Sequence, residues 1–119
     1  MYASFEDMPV WKKGMDLAER VFAITERLPK KEDYGLTSQI RRSALSVPAN
    51  VAEGFGRKHT KDKLNFYYDS RGSLAETKNH LVYGLRVGYF KQSEFSPLEQ
   101  LIEIIWRELN RLIASFSRP

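Results

Sequence analysis

The chain has 119 residues, with 19 Lys and Arg against 15 Asp and Glu for a net charge of +4, and it contains no cysteine. That length suits one domain, expected over 1–119, with a core that needs no covalent staple, and the missing cysteine excludes disulfides and thiolate metal sites. Apolar runs such as Ile104-Ile105-Trp106 fall far short of a membrane span, and residues 1–14 lack a signal-peptide pattern, so a cytoplasmic protein without membrane contact is expected.

The first periodic segment covers about 9–28. Val10, Gly14, Leu17, Val21, Ile24 and Leu28 alternate in steps of four and three, the spacing of a helical seam. Trp11, Met15, Ala18 and Phe22 form a second stripe beside it, wider together than one neighbouring helix covers. The second segment, about 36–55, carries Leu36, Ile40, Ser43, Val47, Val51 and Gly54 as its seam. Pro48 removes the donor that would reach the Ala44 carbonyl, so a kink is expected there.

The third segment, about 61–87, has Thr60 as its expected N-cap and Tyr67, Ser70, Leu74, Thr77, Leu81, Gly84 and Gly88 as its seam. Gly88 reads as its stop. The fourth, about 97–117, opens with Ser96-Pro97-Leu98-Glu99, which reads as a capping box with proline at the first helical position. Leu98, Leu101 or Ile102, Ile105, Leu109, Leu112 and Phe116 follow on one stripe, broadened by Ile102, Trp106 and Ile113. Short connections imply antiparallel neighbours. The expected fold is an all-α, up-down-up-down four-helix bundle. Its broad outer faces, marked by Trp11, Met15, Phe22, Trp106 and Ile113, argue for burial between copies of the chain.

Little here resembles an enzyme. The only histidines are His59 and His80, and there is no HExxH motif, dinucleotide fingerprint or P-loop. No catalytic residue, cofactor or metal is expected. Asn50 and Glu53 lie one turn apart, and Glu76 sits on the third segment. A metal held between such carboxylates would want Glu-x-x-His, which is absent, so a structural polar role is expected, in pairs with Arg41, Arg42 or loop N–H groups.

The basic residues are the stronger lead. Arg41, Arg42, Arg57, Lys58, Lys61 and Lys63 face only Glu53 and Asp62 in that window, which accounts for the net excess of the whole chain. Arg41 and Arg42 are adjacent and therefore point about 100° apart; one is expected to pair with Glu53 or Glu76 and the other to be exposed. Tyr67 and Tyr68 follow the basic loop closely, and cations beside aromatics can hold an RNA backbone and stack bases.

Residues 34–44, YGLTSQIRRSA, and 47–57, VPANVAEGFGR, carry a family resemblance, joined by Val10-Trp11, Phe66-Tyr67, Gly72-Ser73-Leu74-Ala75-Glu76 and Gly88-Tyr89-Phe90. Together they resemble the S23 family of proteins associated with intervening sequences of 23S ribosomal RNA. Tyr68-Asp69-Ser70-Arg71 stands where that family has a more aliphatic run. The resemblance implies a four-helix bundle, ring-like pentamers and an RNA connection. A related, more basic branch serves as the accessory protein of reverse transcriptases in diversity-generating elements. Most members have no assigned activity.

Two readings follow. The first is a non-enzymatic homo-oligomer, pentameric by resemblance, that contacts RNA or a ribonucleoprotein through the basic loop at 57–63. The second is a protein-interaction scaffold whose basic loop is merely solvated.

Overall fold

The computed structural model describes residues 2–117; residues 1, 118 and 119 of the domain expected over 1–119 lie outside the described residues. The chain forms four helices, α1 (Pro9–Thr25), α2 (Leu36–Gly56), α3 (Thr60–Arg86) and α4 (Gln92–Ser117). Single 3-10 turns precede α1 (Phe5–Asp7) and α2 (Lys30–Glu32). Backbones approach closely for α1 with α2, α2 with α3, α3 with α4 and α4 with α1, while neither diagonal pair does so among the described residues. This is a four-cornered bundle measuring 47 × 24 × 21 Å. Ion pairs fix its antiparallel sense: Lys13 of α1 reaches Glu108 of α4 at 2.7 Å, near opposite ends of their sequences.

The seams read from spacing are the core. Leu17, Val21, Ile40, Val47, Val51, Leu74, Leu81, Ile105 and Leu109 are fully buried. Two polar links run between α2 and α3, with the Thr77 hydroxyl donating to Ser43 Oγ (2.9 Å) and Ser70 Oγ donating to the Val47 carbonyl (2.7 Å). Buried hydroxyls partnered this way cost little and specify how the two helices align.

Pro48 lies inside α2, which is one continuous helix from Leu36 to Gly56. Its ring is buried against α1, where a Cβ on Gly14 would stand 3.3 Å from Pro48 Cβ. The proline thus packs into a gap that a side chain would fill, which offsets the lost helical hydrogen bond.

Three boundaries differ from the spacing. α1 stops at Thr25, whose hydroxyl donates to the Val21 carbonyl (2.8 Å) and accepts Arg41 Nε–H (2.8 Å); the chain to Leu28 then continues as tight turns. Thr60 is the first residue of α3 rather than its cap, and His59 stands at the cap without a side-chain bond. The largest difference is α4, which begins at Gln92 and runs through Pro97. The true capping carboxylate is Glu94, whose Oε1 accepts the Lys91 N–H at 2.8 Å, so Ser96-Pro97-Leu98-Glu99 is not the start. Phe90 and Phe95, both buried, draw this earlier start onto the core.

The α3–α4 turn is a Schellman motif. Gly88 has φ +89°, Tyr89 N–H reaches the Gly84 carbonyl (2.8 Å) and Gly88 N–H reaches that of Leu85 (3.1 Å). Only glycine adopts that φ without strain.

Carboxylates tie this end of the bundle together. Glu32 accepts the Leu36 N–H (3.1 Å) and the Tyr89 hydroxyl (2.8 Å), and these bonds hold it below the usual carboxylate value of 4.5. Glu94 is likewise lowered, first by the Lys91 N–H and then by Arg27. A carboxylate with a lowered folded pKa contributes stability above its unfolded pKa and loses it as pH falls through the folded value. The melting temperature should therefore fall on acidification below about pH 4.5. A Glu32→Gln, Glu94→Gln double variant should melt lower at pH 7 and show a flatter acid limb in a calorimetric pH series.

Candidate nucleic-acid interface and assembly faces

The basic residues divide into two groups. Arg41 and Arg42 lie in the first half of α2, and Arg57, Lys58, Lys61 and Lys63 lie at its far end. Arg57 follows Arg42 by fifteen positions, or about 22 Å at 1.5 Å per residue. The six cations do not form one surface.

Arg41 is half-buried and serves α1. Its Nε donates to Thr25 Oγ1, its guanidinium lies 4.3 Å from the centre of the Phe22 ring, and Glu26 is 3.8 Å away. Arg42 is the exposed member of the pair, with one 3.4 Å bond to Gln39 Oε1. Neither meets Glu53 or Glu76, contrary to the expected pairing. Both carboxylates are exposed: Glu53 pairs with Arg57 (3.4 Å) and Glu76 lies 3.5 Å from His80, each one turn along its own helix. Asn50 is half-buried and donates to the Ser46 carbonyl at 2.9 Å. Of the Asn50, Glu53 and Glu76 set, the two carboxylates are exposed and pair only along their own helices, while Asn50 is half-buried, one turn from Val47 and Gly54 on α2, and bonds back to its own helix; none pairs with Arg41 or Arg42.

The connection itself is residues 57–59; Lys61 and Lys63 stand in the first turn of α3, and Lys63 is a cap for α2. Its Nζ donates to the carbonyls of Gly54 (3.2 Å) and Phe55 (2.8 Å), placing a cation on the negative end of α2. Arg57 pairs with Glu53 and stacks 4.7 Å over the Phe66 ring. Lys58 and Lys61 are exposed, without an ion pair to any described residue. Tyr67, expected as a stacking aromatic, is 1% exposed and closed off by Gly54, where a Cβ would lie 2.6 Å from its ring. It cannot stack a base. Tyr68 remains exposed at 43%.

The outer faces show where the unmatched apolar surface lies. Ile113 is buried in the protomer, so it belongs to the interior rather than to a face. Trp11 is half-buried, with Phe5 of the N-terminal turn edge-on against it at 5.2 Å. Exposed apolar side chains also occur singly at Tyr34, Tyr83, Val87 and Ile104, and a groove between α1 and α4 is lined by Ala23, Ile24, Pro97 and Leu98. Two further grooves hold the exposed Phe22, Leu45 and Trp106. One runs between α1 and α2, where Met15, Ala18, Phe22 and Leu45 line a groove of about 250 Å³ flanked by Glu19 and Arg41. Phe22 is 51% and Leu45 56% exposed. The other runs between α3 and α4, where Ala75, Ile102 and Trp106 line about 270 Å³ flanked by Lys78 and Glu103. Beside it, Arg71 sits between the rings of Tyr68 (5.4 Å) and Trp106 (5.7 Å) and donates to Asn110 Oδ1 (2.9 Å).

Because the diagonal helices stay apart, these two grooves occupy opposite sides of the bundle. Leu45 is the residue that reasoning from spacing missed. Its signal was available: a leucine off the α2 seam, among Ser and Ala.

The described residues contain no group of three or more His, Cys, Asp or Glu able to hold a metal, and no helix long and apolar enough to cross a membrane. The fold and surface define a small four-helix-bundle protein with two opposed apolar grooves and a basic interhelical loop. The family model of the 23S rRNA-intervening sequence protein matches residues 6–111, and the chain belongs to that family. A solved protein of unknown function from the S23 ribosomal protein family of Bacteroides thetaiotaomicron has the same fold, with a TM-score of 0.78 at 20% identity, over 87% of this chain and 97% of that one. No curated protein matches the chain.

Proposed function

We propose that this chain is a non-enzymatic, cytoplasmic protein that assembles with copies of itself and presents its basic loops to RNA or a ribonucleoprotein. The observation that carries the reading is the opposition of the two apolar grooves. A protomer with Phe22 and Leu45 on one side and Trp106 on the other joins copies head to tail, and such contacts close into a ring when the rotation permits. Each groove is flanked by one acid and one base, Glu19 with Arg41 and Lys78 with Glu103, so opposite charges can meet across the junction. Five is the number of subunits that the S23 resemblance implies.

A ring repeats Lys58 and Lys61 on one rim, and repetition turns a weak contact into a useful one. The expected mobility-shift result with structured RNA is binding that weakens steeply as salt rises. A Lys58→Ala, Lys61→Ala variant should keep its oligomer size and lose about two units of salt slope per engaged protomer. The scaffold reading draws support from the capping role of Lys63 and the pairing of Arg57, which leave two unpaired cations in the loop. An absence of RNA binding at low salt would select it.

A further inference from the structure

At the α2–α3 end of the bundle lies a cavity of about 290 Å³, lined by Met8, Phe55, Leu112 and Phe116 together with Tyr2 and Ser115. Lys63 and Tyr67 also line it, one turn apart on α3 and so on the same helix face. No acidic side chain among the described residues borders it.

Tyr67 combines a buried ring with an open hydroxyl. The residue is 1% exposed and its hydroxyl bonds to no described residue, yet its oxygen is not one of the sealed, unpartnered side-chain atoms of the described residues, which are Thr37 Oγ1 and His80 Nε2. Burial pushes the phenol up and keeps it protonated as a donor. Its ring is held by Gly54 on one side and by Phe116, 5.8 Å away between centroids. Lys63 Nζ makes two bonds to carbonyls and has three hydrogens to donate, so one N–H is uncommitted.

We propose that this cavity binds a small amphipathic monoanion, with an apolar body between Phe55, Leu112 and Phe116 and a carboxylate accepting from the Tyr67 hydroxyl and the Lys63 ammonium. Apolar walls with a few convergent polar groups and a single sign of charge are the features of a small-molecule site. The side chains of Phe55, Leu112 and Phe116 suit a hydrocarbon chain or ring, and Tyr2 and Ser115 are the other polar side chains in the lining. The inference is independent of RNA binding and of assembly, since the cavity belongs to one protomer.

The test uses the full chain and three probes of matched tail, octanoate, octanol and octylammonium, followed through the Met8 and Leu112 methyl resonances by NMR. Octanoate should shift both methyls saturably and bind at least about tenfold more tightly than octanol, the worth of one charge-assisted hydrogen bond. Octylammonium should not bind. Tyr67→Phe removes a hydroxyl that bonds to nothing in the protein, so its melting temperature should hold while octanoate affinity falls about tenfold. Lys63→Met should weaken octanoate further, but it also uncaps α2, so Tyr67→Phe is the deciding variant. Equal binding of octanol or octylammonium, unchanged affinity in Tyr67→Phe, or no methyl shifts with octanoate would each overturn the proposal. Shifts produced by adenosine or uridine monophosphate but not by octanoate would overturn the ligand class.

Discussion

Gly84→Ala should lower the stability of the bundle by about 2 kcal/mol, while Gly72→Ala, on the same helix, should raise it by about 0.5–1 kcal/mol. The intrinsic gain from replacing a helical glycine is the same at both positions, so the difference isolates packing. At Gly72 a Cβ meets nothing within 4 Å. At Gly84 it would lie 2.3 Å from Phe90 Cε2 and 2.4 Å from Cδ2. Phe90 is 3% exposed and follows the Schellman turn directly, so it has no solvent-facing position to retreat to without leaving the core. Displacing a buried aromatic ring costs about 2–3 kcal/mol, which outweighs the helical gain. The two variants should differ by roughly 10 °C in melting temperature for a chain of this size. Coincident melting curves would show that the ring moves aside without cost.

If copies pack through the proposed grooves, Leu45→Glu should give single chains of 13.9 kDa by light scattering, without loss of helix content. Leu45 is more than half exposed within the protomer, so a carboxylate there is solvated in the isolated chain. Between copies the same carboxylate would be buried in an apolar groove, at a cost of several kcal/mol. Ala75→Glu should do the same from the opposite face, because Ala75 is exposed and lines the α3–α4 groove. Mixing the two variants gives the sharper result. In a head-to-tail arrangement each retains one intact face, and those two faces complement each other, so the mixture should form a dimer of twice the single-chain mass. In a two-fold arrangement, where like faces meet, Leu45→Glu and Ala75→Glu could not rescue each other. A wild-type particle of 13.9 kDa would remove the need for either variant.

The helical seams were legible because burial along a helix follows its period. Every residue placed on the α2 seam, from Leu36 to Gly54, is buried, as are Tyr67, Ser70, Leu74, Thr77, Leu81 and Gly84 on α3, while Gly88, the last position of that seam, lies exposed in the turn beyond the helix. Cap chemistry was less legible. Ser96-Pro97-Leu98-Glu99 has the composition of a helix start, yet Glu94 performs that role four residues after Phe90 reaches the core. A local motif competes with tertiary burial, and two phenylalanines outweigh a serine cap.

Side-chain pairing was the least legible part. Arg41 and Arg42 looked equivalent on paper, and only the position of Thr25 and Phe22 on α1 sets one apart from the other. The loop cations looked like one basic set until Lys63 turned back onto the α2 carbonyls and Arg57 onto Glu53. Tyr67 and Tyr68 are consecutive, so they point about 100° apart, and the α3 seam places one in the core and the other at the surface.

Local order in this protein follows from the sequence alone: four amphipathic helices, their antiparallel succession and the residues on each buried stripe, because those depend on periodicity and connection length. The tertiary structure decided which charges remain available, where the uncovered apolar surface lies and that a cavity opens beside Tyr67. Those properties depend on what a side chain meets across the bundle, and helices distant along the chain supply those neighbours.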